Sequence, residues 1–110
     1  VKFLLNVYVS TAAGDVFDHE RLLAVAGRSG ELIGGHTLAD PSVSTVIRVR
    51  DGAVEVSEGP YLPAVHHVAV QCLLDCDSRE RAVELATLMA GDRATGIELR
   101  PLMDLSGMEM

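Results

Sequence analysis

The sequence has no tryptophan, two phenylalanines, two tyrosines, two cysteines and a single lysine in 110 residues. Each scarcity excludes something. Lys2 is the only lysine and the eight arginines are scattered, so no basic cluster exists to neutralise phosphates. With a formal net charge of −7, a general nucleic-acid binder is not expected. The same scatter leaves no polybasic tract for an anionic membrane, and no apolar run approaches the ~18 residues of a membrane-spanning helix. Cys72 and Cys76 are too few for a disulfide framework and wrongly spaced for a Cys-x-x-Cys pair. They are expected to be reduced thiols in a cytoplasmic protein. Lys2 followed by Phe3-Leu4-Leu5 has a superficial likeness to a short signal peptide, but Asn6 interrupts the apolar run and the basic region is one residue long. There is no Gly-x-Gly-x-x-Gly fingerprint, no P-loop and no Gly-x-Ser-x-Gly elbow. His66 and His67, adjacent on a strand, point to opposite faces and cannot chelate together. No cofactor and no metal are therefore expected.

What is present is an ordinary folding composition, 48 % hydrophobic, in a chain long enough for one domain over residues 1–110. Residues 2–10 alternate as a strand, with Phe3, Leu5, Val7 and Val9 on one side. A helix is expected from an Asp15 N-cap to a Gly30 stop, with Leu22, Val25 and Ala26 on its buried stripe. Glu31–Leu38 reads as a strand whose Gly34-Gly35 pair signals a bulge or a close backbone approach. Asp51-Gly52, between residues 46–50 and 53–57, suits a type I′ hairpin turn. That register sets Ile47 opposite Val56 and Val49 opposite Val54 on one face. Arg48 and Glu55 then form an ion pair on the solvent side. A long apolar strand over 64–75 follows, then a helix capped by Asp77 with Glu80 three residues on, buried through Ala82, Leu85, Ala86 and Met89 and ended by Gly91. Residues 95–103 form the last strand. The tail, 104–110, has no legible pattern.

This order predicts an α+β fold, a ferredoxin-like βαββαβ chain with an inserted β-hairpin and an antiparallel sheet carrying both helices on one face. The other face also carries apolar residues, and an uncovered face of that size is an interface. A homodimer whose sheets pack together is expected. Alternation then groups the polar side chains. Asn6 and Tyr8 lie opposite the Phe3–Leu5–Val7 set; His67 and Gln71 share their face on the long strand, as do Glu98 and Arg100 on the last one. The candidate pocket is Asn6, Tyr8, His67, Gln71, Glu98 and Arg100 over Leu4, Ala69 and Leu73, a few polar groups in an apolar concavity. His67 is the candidate acid/base, oriented by Tyr8 or Glu98, with a dimer-interface histidine as the bland alternative. His66 faces the helix layer or the strand edge, but a one-residue bulge would exchange the two histidines. His36, just after the double glycine, either meets a ligand or caps a strand end. Arg100 holds a carboxylate or phenolate, or pairs with a carboxylate.

The runs Ser29–Gly35, Leu38-Ala39-Asp40-Pro41 and Val46–Gly52 resemble the YCII-related family. Glu58-Gly59-Pro60-Tyr61 stands where one branch has its Asp-Gly-Pro-Phe motif, and Leu73–Asp77 and Ile97–Met103 also look like that branch. The resemblance implies a dimeric α/β barrel of ferredoxin-like subunits. Some relatives act on small molecules, as in a dehydrochlorinase of chlorinated hydroxyquinol degradation; related YCII proteins also carry a helix histidine near their active site, but His19, in the first turns of the first helix, reads here as a solvated surface histidine. The chain departs from the branch over Leu62–Cys72, where charged loop positions have become apolar and two histidines appear, and at His36, where the branch has glutamate. These departures suggest an apolar, aromatic or polyketide-like substrate. The expectation is a cofactor-independent lyase, isomerase or cyclase. A non-catalytic dimeric binding or accessory module is the competing class, and a cofactor-free monooxygenase the third.

Overall fold

The structure, a computed structural model, describes residues 1–10, 20–89, 96–104 and 106–109. It is an α+β fold with strands β1 (Lys2–Ser10), β2 (Leu32–Thr37), β3 (Thr45–Arg50), β4 (Ala53–Glu58), β5 (His66–Asp75) and β6 (Gly96–Pro101). Its helices are α1 (Glu20–Leu22), which continues as a π-helical turn over Leu23–Gly27, and α2 (Arg79–Thr87). Four strands form one antiparallel sheet in the order β2-β5-β1-β6, while β3 and β4 form a separate two-stranded ribbon. The four-strand order and the two helices are consistent with the ferredoxin-like arrangement expected from the sequence.

Alternation along the two central strands builds the core. Phe3, Leu5 and Val7 of β1 stand beside Leu74, Cys72 and Val70 of β5, and all six are buried against Leu22 and Ala26 of the first helical segment and Ala82, Leu85 and Ala86 of α2. A fully buried Leu or Val contributes about 1.5–3 kcal/mol, so Leu5, Leu22, Leu74 and Leu85, at 0–1 % exposure, dominate this cluster. The expected stripe on α2 is the one observed, including Met89. On the first helix Val25 is instead 39 % exposed. The π turn widens the helix there, keeping Leu22 and Ala26, four apart, on the sheet while Val25 swings outward. Asp15, His19 and Gly91 lie outside the described residues.

Three local readings need correction. The N-cap of α2 is Ser78, whose hydroxyl accepts from the Arg81 N–H at 3.1 Å, rather than Asp77. The long strand begins at His66, two residues later than expected. The hairpin turn is as predicted, with φ of 48° at Asp51 and 79° at Gly52, and its register sets Arg48 opposite Glu55. The ion pair, however, joins Glu55 to Arg50 at 3.9 Å, while Arg48 lies 5.0 Å over the Tyr61 ring. Val46, on the Arg48 face, is buried, so the Ile47–Val49–Val54–Val56 face points away from the rest of the chain. The ribbon contributes to a radius of gyration of 16.1 Å, against about 13 Å for a compact chain of this length.

Two polar clusters were not legible in the sequence. Asp104 accepts from Ser106 and Met108 and folds the tail into a turn. Arg81 donates to Glu31 through Nε at 3.0 Å and Nη2 at 2.9 Å, tying α2 to the residue before β2. These bonds, with help from the Ser29 hydroxyl, hold the Glu31 carboxyl below its ordinary value of 4.5. A depressed carboxylate stabilises the fold above its unfolded pKa, and that stability is lost as the pH falls through the folded value. Glu31→Gln is thus expected to lower Tm at neutral pH, with the two melting curves converging as the pH drops below 4.5. A gap that stays constant into acid would contradict the assignment.

Candidate functional site

The helices cover one face of the four-stranded sheet. The other carries neither helix and is open at both edges, where a Cβ built on Gly34 or on Gly96 meets no atom within 4 Å. Across this open face the register aligns His36 of β2, Gln71 of β5, Asn6 of β1 and Glu98 of β6 in a single row. The row is hydrogen-bonded. Gln71 Nε2 donates to Asn6 Oδ1 at 3.0 Å, and Asn6 Nδ2 donates to Glu98 Oε1 at 3.2 Å. Arg100, two residues along β6, sets Nη2 3.1 Å from both carboxylate oxygens of Glu98. Asn6, 5 % exposed, is the one buried polar side chain among the described residues. Leu4 and Leu73 flank the row on one side, Tyr8 and Val68 on the other, all half-buried. The arrangement is a polar ladder between apolar rails.

Five of the expected pocket residues therefore share one face: Asn6, Tyr8, Gln71, Glu98 and Arg100. His67 does not. Between Val7 and Tyr8 the β1–β5 register slips, so that Val7 faces Val70 while Tyr8 faces Val68. Ala69 is the extra residue of this bulge, and beyond it every β5 side chain changes face. His67 comes to lie opposite buried Val9 on the helix side, with its Nδ1 buried and unpartnered. His66 takes the open face opposite Ser10, exposed at the end of the strand. The exchange of histidines that a bulge would cause is what the register shows. Nothing in the composition of β5 marks Ala69 as the bulged position, since the apolar alternation reads equally well in both registers. His36 is the histidine that stands in the row itself. The double glycine before it acts as expected: β2 slips register between Leu32 and Gly34, and a Cβ on Gly35 would sit 2.9 Å from Cys72 Sγ.

The row ends in the Glu98–Arg100 ion pair on one edge strand and the His36 imidazole on the other. Neighbouring strands are ~4.8 Å apart, which puts the Cα atoms of His36 and Glu98 roughly 14 Å apart. Two other features bound the chemistry. Burial pushes the Cys72 and Cys76 thiols up, so neither is a thiolate nucleophile at neutral pH. Ser42, through its backbone N–H first and then its hydroxyl, holds the Asp40 carboxyl low. Among the described residues no three His, Cys, Asp or Glu side chains are grouped to hold a metal ion. A cleft of about 220 Å³ lies across the sheet from the ladder, between Leu22 and Leu23 of the helix and Leu32, Gly35 and Thr37 of β2. His36, on the edge strand, also borders it, but its lining is otherwise mainly apolar.

No family model matches the chain, and no curated protein does either. Among the described residues no helix is long and apolar enough to cross a membrane.

Removing the middle rung leaves both neighbours short of a partner. Asn6→Ala is expected to cost about 1–3 kcal/mol in urea unfolding. His66→Ala, at an exposed strand end, should change stability by less than about 0.5 kcal/mol. Equal effects of the two would contradict the ladder.

Proposed function

We propose that this is a YCII-like, cofactor-independent enzyme of the cytoplasm that runs proton-transfer chemistry on a small aromatic or polyketide-like substrate, as a lyase, isomerase or cyclase. The observation that carries the reading is the hydrogen-bonded row on a face otherwise lined by Leu4, Tyr8, Val68 and Leu73. A few convergent polar groups in apolar surroundings are the usual make-up of a small-molecule site. With His67 turned to the helix side, His36 becomes the acid/base, because it stands beside Gln71 in the row. Arg100 anchors a carboxylate or phenolate at the other end, and Asn6 and Gln71 polarise what lies between. His36 and Arg100 sit on the two edge strands, which are roughly 14 Å apart across the sheet; that span exceeds a single substituted ring and favours a fused-ring, polyketide-like substrate. The chain acts as a homodimer of ferredoxin-like subunits, the open face of each closed by the other.

One observation favours a second reading, a non-catalytic ligand-binding or accessory module. Both polar atoms of the Asn6 amide and both oxygens of Glu98 already have partners inside the row, so the ladder is self-satisfied without a substrate. The two readings part on turnover. With a panel of fused-ring phenols and aromatic carboxylates, the enzyme converts at least one without added metal or cofactor. His36→Ala is expected to lower that rate by about 10²–10⁴ with the circular dichroism unchanged, and Arg100→Gln to weaken binding about tenfold. Binding without conversion supports the module, and a His36→Ala variant with full activity overturns the acid/base assignment.

A further inference from the structure

The hydrogen bonds of the ladder have a direction, and that direction reaches the imidazole at its end. We propose that Glu98 is a positioning residue: through Asn6 and Gln71 it turns an acceptor oxygen toward His36 and holds that ring as its Nδ1–H tautomer, with Nε2 as the free base. The inference rests on the acid/base reading of His36 above and adds what fixes the hydrogen on that ring.

Direction follows from which groups can only accept. A carboxylate accepts and cannot donate. Glu98 therefore takes a hydrogen from Asn6 Nδ2, at 3.2 Å, and the planar amide of Asn6 presents Oδ1 to the other side. Gln71 meets that oxygen with Nε2, at 3.0 Å. An amide carries its oxygen and its nitrogen on opposite sides, so Gln71 Oε1 is turned away from β1 and toward β2, the next strand in the sheet. Asn6 is 5 % exposed, and a reversed amide there would set its oxygen against the Glu98 carboxylate with little water to relieve the clash. One anion on the β6 edge thus orients two amides in turn.

His36 is within reach of that oxygen. It stands directly opposite Gln71 in the β2–β5 register. Side chains opposite each other in an antiparallel pair share a face and have Cβ atoms about 5 Å apart. Nδ1 of a histidine and the amide carbon of a glutamine are equally many bonds from Cβ, so the two groups stand at similar heights above the sheet. Nε2, at the far corner of the ring, projects beyond them. An oxygen beside Nδ1 requires a hydrogen there, and a neutral ring then keeps its lone pair on Nε2, facing whatever lies over the row. An unconstrained imidazole side chain in water prefers the opposite arrangement. The ladder selects the minor tautomer.

Arg100 makes the direction reversible by a single substitution. Its Nη2 lies 3.1 Å from both oxygens of Glu98 and can only donate. In Glu98→Gln the side chain keeps its size but has one oxygen and one NH2 group. Arg100 claims the oxygen, which leaves the NH2 group for Asn6. Asn6 then turns Oδ1 toward β6 and Nδ2 toward Gln71. Gln71 in turn gives Oε1 to Asn6 and presents Nε2 to His36, so the imidazole must accept at Nδ1. The hydrogen moves to Nε2, and the base that faced the substrate is lost.

The test is the ¹⁵N spectrum of the His36 ring in the whole chain, assigned against His36→Gln and recorded at a pH where the ring is neutral. The wild type is expected to show a protonated Nδ1 and a bare Nε2. Glu98→Gln is expected to show the reverse with unchanged circular dichroism, and Gln71→Leu, which removes the amide beside the ring, to return the ring to its Nε2–H form. A wild type with the hydrogen on Nε2 overturns the proposal. So does a wild-type Nδ1–H ring that persists in either variant. Turnover is read separately. On a substrate that the wild type converts, Glu98→Gln is expected to lower kcat about 10²-fold without raising KM, since Arg100 remains. A fixed Nδ1–H tautomer in a chain that converts nothing overturns the enzyme reading and leaves the positioning role of Glu98 standing.

Discussion

The pairing of β1 with β5 is the interaction on which the rest of the structure depends. These are the two central strands, and each alternation along them serves two purposes. One set of side chains, from Phe3 to Val7 and from Val70 to Leu74, makes the core under the helices. The interleaved set, Leu4, Asn6 and Tyr8 with Leu73, Gln71 and Val68, makes the open face. A change in this register moves the core and the site together, because a strand cannot shift one face without the other. The Ala69 bulge shows the consequence at one end of the sheet, where His66 and His67 trade faces.

The ladder is an unusual use of the centre of a sheet. Asn6 is almost as well buried as the core leucines, yet it lies on the face the helices leave bare. Such a group is costly to bury unless both its donor and its acceptor are satisfied. Gln71 and Glu98 satisfy them from the two flanking strands, and Arg100 neutralises the carboxylate. A solvated surface has no need of this degree of internal pairing, whereas a face that closes over a ligand or a partner does. The buried Asn6 therefore joins the fold argument to the functional one.

How much of this was legible in the sequence depended on whether local chemistry or long-range registry decided it. The Asp51-Gly52 turn could be read directly, because only residues tolerant of positive φ fit a type I′ hairpin. The α2 stripe through Ala82, Leu85 and Ala86 was legible from helical spacing alone. Grouping Asn6, Gln71, Glu98 and Arg100 on one face needed only period-two alternation and the strand order. The place of His67 needed more, since one extra residue in a strand pair leaves no local trace in an apolar run. The outward turn of Val25 depends on a π turn, and the Glu31–Arg81 pair joins residues 50 apart in sequence. The direction of the hairpin's valine face was also beyond local pattern. Alternation tells that Ile47, Val49, Val54 and Val56 share a face but not which way it looks.

The central claim is that the ladder face, and not the cleft beneath the π turn, receives the small molecule. A crystal structure of the chain with a fused-ring phenolic carboxylate tests it most directly. The account predicts the rings lying over Asn6 and Gln71, the carboxylate on Arg100 and the far ring beside His36. The same ligand seated between Leu22, Leu32 and Cys72 on the helix side would contradict it.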